Sequence, residues 1–234
     1  NNAGISEKWV GIRSLGNGNE TNKWWSGLLF EEVGGVPTPS AKKSVTPSAG
    51  SGNWSMDSVP GWDKFIDGTS YYITTLVVDY ATNQTWWMNQ YSSTFTVDKT
   101  SPTSGIELPE MYYKKSLTTI TGTASDVTSG VKQVDILIQD LVAGTSYWNK
   151  DSGNGAWVGS AYWNRALNLS GSQPGYVYSS TNVAVWTQDH LYLVVTRAKD
   201  NAVPTLTQEL FGFNISSKTF VYDVVRPTSS VTRP

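Results

Sequence analysis

The 234-residue chain has no cysteine, a single histidine (His190) and three methionines, and only 15% of its residues are charged. Without cysteine there are no disulfides and no thiolate metal sites. One imidazole cannot supply the several histidines of a zinc or transition-metal centre, and any histidine-based triad would have to use His190. That residue stands at the head of the apolar run LYLVV and reads as a strand-edge residue. The carboxylates Glu31-Glu32, Asp135 and Asp140 show no spacing that argues for glycoside hydrolysis. Neither a phosphate-binding glycine loop nor a nucleophile elbow is present. The expectation is a protein that is not an enzyme.

Long apolar runs are also missing. They scarcely exceed the five residues of Leu191–Val195, whereas a membrane-spanning helix needs about 20. No membrane insertion is expected of this segment, and any export signal is expected upstream or already removed. The net charge of −2 gives no basic footprint for nucleic acid or anionic lipid.

What is abundant is Gly, Ser, Thr, Asn and aromatic residues, including eleven tryptophans. β-Branched and aromatic side chains pack well on a pleated face and crowd a helix, so strands are favoured. The runs YYITTLVVDY (71–80) and HLYLVVTRAK (190–199) have the mixed alternating and continuous apolar character of inner strands. Further strands are predicted at 8–14, 22–30, 86–97, 117–124, 131–140, 143–149, 206–213 and 217–225. Turn clusters such as LGNGN (15–19) and DSGNG (151–155) separate them.

The chain also repeats itself. FTVDKTSPTSGIELP (95–109) and FVYDVVRPTSSVTRP (220–234) match at Phe95/Phe220, Asp98/Asp223, Pro102/Pro227 and Pro109/Pro234, each pair 125 residues apart. Further matches keep the same order: Val10 and Ile12 with Val134 and Ile136, Trp24-Trp25 with Tyr147-Trp148, and Trp54 and Trp62 with Tyr178 and Trp186. Tyr71 and Ile73 match Tyr192 and Val194, and Asp79 matches Asp200. Shifts between 121 and 125 residues are what small loop insertions produce in a duplication. Short strands punctuated by Gly and Asn, twice over, predict an all-β chain of two tandem sandwiches.

The stretch TGTASDVTSGVKQVDI (121–136), with AKDNAV and FTVDKTSPT, resembles the tandem bacterial immunoglobulin-like (Big-type) repeats of large surface proteins. The paired Trp-Trp or Tyr-Trp with a later Trp resembles a Trp-rich subgroup of them. This likeness implies two tandem immunoglobulin-like β-sandwich domains. Residues 1–99 would form a domain lacking its first strand, 100–226 a complete domain, and 227–234 a junction to a further repeat or a neighbouring subunit. Pro102 and Pro227 would mark the domain junctions, since proline fixes φ and offers no N–H for pairing. Asp98, Asp126, Asp200 and Asp223 cluster near junctions in the resembled fold, which makes calcium the one metal to consider there.

The segment 111–125 has no counterpart in the first repeat. Two readings follow: a portion of a longer tandem protein, or a sandwich completed by strand donation from a neighbour. Trp25, Trp62, Trp148 and Trp186 recur at matched positions and read as core anchors. Trp86, Trp87, Trp157 and Trp163 lack clear partners in the alignment and are the candidates for an aromatic surface, against another subunit or a sugar. The expected role is a structural repeat of an extracellular, cell-surface fibre, filament, sheath or adhesin stalk. Its partners would be copies of itself or adjacent repeats; a carbohydrate-binding module that contacts glycans is the alternative.

Overall fold

A computed structural model describes residues 4–16, 22–33, 43–44, 46–47, 54–56, 59–85, 92–110, 112–144, 146–170, 175–178, 183–203 and 215–230. It is all-β, with no α-helix among the described residues, and therefore no helix long and apolar enough to cross a membrane. The chain divides into two compact units, Asn1–Lys99 and Thr100–Pro234.

In the first unit the strands are β1 (Ile5–Ser14), β2 (Lys23–Trp25), β3 (Phe30–Val33), β4 (Lys43–Ser44), β5 (Thr46–Pro47), β6 (Trp54–Ser55), β7 (Ser70–Asp79) and β8 (Ser92–Thr96). One sheet runs in the order β3-β2-β1-β7-β8, with β4 paired to β1, and β5 and β6 form a separate pair. The single strand predicted over 22–30 is instead a hairpin. Gly27, at φ +105°, lies in the turn, and the Ser26 amide donates to the Leu29 carbonyl at 2.9 Å. A positive φ costs glycine nothing, so the chain reverses there. The core is Val10, Ile12, Trp25, Phe30, Phe65, Tyr71 and Val97.

The second unit holds β9 (Thr103–Leu108), β10 (Tyr112–Lys114), β11 (Ile120–Ser125), β12 (Val131–Asp140), β13 (Ser146–Asn149) and β14 (Ala156–Val158). It continues with β15 (Asn164–Arg165), β16 (Leu167–Ser170), β17 (Gly175–Tyr178), β18 (Leu191–Asp200) and β19 (Ser217–Tyr222). One sheet has the order β10-β19-β18-β12-β13-β14, with β15 on β12, and the other β16-β17-β11-β9. Ile106 of β9 and Ile120 and Ala124 of β11 share a buried cluster with Val134, Ile136 and Ile138 of β12 and Tyr192, Val194 and Ala198 of β18. The two sheets thus close on one core in a sandwich-like arrangement. No strand is predicted over 103–108, yet β9 is one, with two inward residues, Ser104 and Ile106. The predicted strand 206–213 and residues 86–91 lie outside the described residues.

The central ladder of the first unit recurs in the second in the same hydrogen-bond register, which differs from the register read from sequence. β1 and β7 pair as Ile5↔Asp79, Glu7↔Val78 and on to Ser14↔Tyr71, with a bulge between Ile5 and Glu7. β12 and β18 pair as Val131↔Asp200, Gln133↔Lys199 and on to Asp140↔Tyr192, with a bulge between Val131 and Gln133. The β7 and β18 positions differ by 121 residues, so Val10 and Ile12 correspond to Ile136 and Ile138, not to Val134 and Ile136. A two-residue slip keeps every side chain on its own face, so the alternating pattern cannot reveal it.

Candidate cation site and aromatic surfaces

At the end of the second unit two loops bring acidic side chains together. Asp126 follows β11, and its Oδ1 accepts three backbone amides of the next turn, Thr128 at 3.1 Å, Ser129 at 2.8 Å and Gly130 at 2.8 Å. Gly130 holds φ +75°, which lets the turn fold back to start β12. Asp200 is the last residue of β18, opposite Val131 across the bulge, and its Oδ1 accepts the Ala202 amide at 3.1 Å. The Asn201 side-chain amide donates to the carbonyls of Ser129 and Gly130 at 3.0 and 3.1 Å, tying the two loops. The carboxylates of Asp126 and Asp200 lie within 4.8 Å of one another. Asp200 is 0% exposed, and the Oδ2 atoms of both residues are buried with no hydrogen-bond partner.

The equivalent aspartate of the first unit, Asp79, is satisfied. Its Oδ1 accepts the Asn83 amide at 2.8 Å and its Oδ2 the Asn83 side-chain amide at 2.9 Å, which hold the carboxyl below its ordinary pKa. The glycine opposite recurs as well. Gly4, at φ +68°, accepts the Tyr80 amide as Gly130 accepts that of Asn201.

Asp98 follows β8 at the end of the first unit and is half-buried. Asp223 follows β19, and its Oδ1 accepts the Gln188 side-chain amide at 2.9 Å and the Val225 amide at 2.9 Å. The Gln188 hydrogen bond is the main cause of its lowered pKa. Pro102 is buried just ahead of β9, whereas Pro227 is exposed after β19.

His190 is bound into the structure. Its Nδ1 lies 2.7 Å from Asp140 Oδ2, while Asp140 Oδ1 accepts the Val142 and Ala143 amides at 3.0 Å each. The pair fixes the end of the β12–β18 ladder.

The tryptophans sort differently from the sequence alignment. Five rings recur: Trp25, Phe30, Phe65, Tyr71 and Phe95 in the first unit, and Trp148, Trp157, Trp186, Tyr192 and Phe220 in the second. Phe65 meets Tyr71 edge-on at 4.8 Å and Tyr71 stacks on Phe95 at 5.7 Å. Trp186 meets Tyr192 edge-on at 4.8 Å and Tyr192 stacks on Phe220 at 5.5 Å. The Ile66 amide donates to Tyr71 Oη at 2.8 Å as the Thr187 amide donates to Tyr192 Oη at 2.7 Å. Trp186 therefore corresponds to Phe65, and Trp62 is no core anchor but 61% exposed.

Trp157, the counterpart of Phe30, stacks on Tyr192 and meets Trp148 edge-on, each at 5.7 Å. Its Nε1 donates to the Val185 carbonyl at 3.3 Å. Trp163 is half-buried under the Arg197 guanidinium, 4.1 Å from the ring centre. Trp86 and Trp87 lie outside the described residues.

Trp62 begins a single 3-10 turn, Trp62–Lys64. The following residues Asp63, Lys64 and Ile66, with Lys23, Leu29 and Glu31 on β2, β3 and the hairpin between them, line a surface groove of about 440 Å³. Lys99 Nζ sits 5.2 Å from the Trp62 ring centre and donates to the Trp62 and Phe65 carbonyls at 2.7 and 2.6 Å. No signal in the sequence separated Trp62 from Phe65 as the anchor, because both are aromatic within one turn. No protein-family model matches the chain, and no curated protein is significantly similar to it.

Proposed function

We propose that the chain is a non-enzymatic structural segment of an extracellular surface fibre, filament, sheath or adhesin stalk, built of tandem immunoglobulin-like sandwiches of the Big type. The observation that carries this reading is the repeated ladder: the same nine paired positions, the same bulge and the same aromatic cluster occur twice in one chain. Repeating one unit along a chain is how extended proteins acquire length, with each unit resisting extension through its antiparallel hydrogen bonds. Assembly proceeds by sheet contacts and strand addition. β19 takes β10 in parallel as an added edge strand, whereas its counterpart β8 ends its sheet among the described residues and offers an edge for β-augmentation. Electron microscopy of the native material tests the reading. A regular subunit rise along a fibre supports it, and a dispersed, unpolymerised protein refutes it.

A second reading, glycan binding, is favoured by Trp62, an exposed indole next to a groove bearing Lys23, Glu31, Asp63 and Lys64. Exposed rings stack against the apolar faces of sugars, and flanking charges orient hydroxyls. A glycan array probed with the wild-type chain and with Trp62→Ala decides it. Binding lost in the variant supports a sugar platform; an array with no signal for either protein removes it.

A further inference from the structure

Buried polar atoms in folded proteins are nearly always hydrogen-bonded, and an unpaired carboxylate is among the most costly groups to bury. The second unit holds two such atoms, Asp126 Oδ2 and Asp200 Oδ2, on carboxylates that lie within 4.8 Å of one another. We propose that Asp126 and Asp200 form a binding site for a hard divalent cation, calcium by its chemistry, at the end of the second unit. This inference does not depend on the filament reading.

The two units provide the comparison. Asp79 and Asp200 occupy the same ladder position, each beside a positive-φ glycine just ahead of the facing strand. In the first unit Asn83 gives both a backbone and a side-chain N–H to Asp79. The residue 121 positions beyond Asn83 is Pro204, which has neither a backbone N–H nor a side-chain donor. What two N–H groups do for Asp79 is left, at Asp200, for a cation to do.

Asp126 is prepared for the same task. Three amides on its Oδ1 fix the carboxylate, and the Asn201 bridge holds its loop against that of Asp200. Both donors are carboxylate oxygens, which select hard cations over zinc or copper. Calcium suits the site better than magnesium, because it accepts irregular oxygen shells completed by water, whereas magnesium demands a near-ideal octahedron.

The test uses the whole chain, stripped with a chelator and titrated with calcium chloride at neutral pH, followed by calorimetric titration and thermal melting. Calcium in excess of its Kd is expected to raise the melting of the second unit by about 5 °C, with magnesium weaker. Asp200→Asn and Asp126→Asn are each expected to abolish the shift, and Asp79→Asn to leave it intact. Asp200→Asn removes the repulsion between the carboxylates, so its chelated form is expected to melt no lower than the chelated wild type, and it stays testable as a folded protein. A wild type that neither binds calcium nor shifts overturns the site. A response that survives both asparagine variants places the ion elsewhere and also overturns it.

Discussion

Asn164 shows how a single polar residue can organise a core. It is wholly buried on β15, its Oδ1 accepting the Lys150 amide at 2.9 Å and its Nδ2 donating to the carbonyls of Trp148 at 2.9 Å and Ile136 at 3.2 Å. One amide thereby stitches β15 to β12 and β13. Asn164→Ala is expected to cost about 3 kcal/mol in urea unfolding, since three buried backbone groups lose a partner at once. Asn164→Asp keeps the shape but loses the donor, and is expected to cost more.

Gly155 is a second fixed point. At φ +95° a Cβ there would collide with the Trp148 ring, so Gly155→Ala is expected to destabilise by about 2–3 kcal/mol through overpacking and backbone strain. Charge adds a pH dependence at the same scale. Asp79 is held below 3.8 by Asn83, Asp151 by Lys150 and Tyr162, and Asp223 by Gln188. Unfolded aspartate carboxyls titrate at about 3.9. The contribution of these groups is complete above about pH 4 and is lost as pH falls through their lower folded values. Burial raises the Tyr192 phenol instead. Its contribution is therefore complete below about pH 10 and is lost as pH rises through the higher folded value. Thermal melts across pH are expected to show a plateau bounded by these two limbs.

At the scale of the element, the closing corner recurs with its hydrogen bonds. Gly68 donates to the Val97 carbonyl and Val97 to that of Thr69, as Asp189 donates to Tyr222 and Tyr222 to His190. Tyr71→Phe and Tyr192→Phe each leave one amide, of Ile66 or Thr187, without its phenol oxygen. Each is expected to cost about 1–2 kcal/mol, and similar losses in the two units, read by hydrogen exchange of the local strands, would confirm that the corners are equivalent.

The elements also mark where the sequence could be read. Strands β7, β12 and β18 were legible to within a residue, because long β-branched runs allow little else. β9 was obscured by flanking proline and glycine, and the 22–30 hairpin by a turn of only two residues beyond Gly27. Trp157 was assigned to a surface because its partner position holds Phe30, so identity in the alignment was absent where ring contact was kept. Of the acidic positions, Asp126 and Asp200 were legible as candidates. Their unpartnered oxygens were not, since that depends on a bulge register that alternation cannot specify.

For the molecule as a whole, the two units carry separate buried clusters, one centred on Val10, Ile12 and Tyr71 and the other on Ile136, Ile138 and Tyr192. The second draws on two sheets, with Ile106, Ile120 and Ala124 supplying a layer opposite β12 and β18. More apolar area closed over the core means more transfer free energy per unit, so the second unit is expected to be the more stable. Ile138→Ala and its counterpart Ile12→Ala make the comparison direct. Each removes equal side-chain volume from the same ladder position, with an expected cost of about 3–4 kcal/mol where the surroundings are fully packed. In calorimetry of the full chain, Ile138→Ala is expected to lower the higher-melting transition and Ile12→Ala the lower one. A single transition displaced equally by either variant would show that the two cores fold as one, and would count against a chain built from repeated load-bearing units.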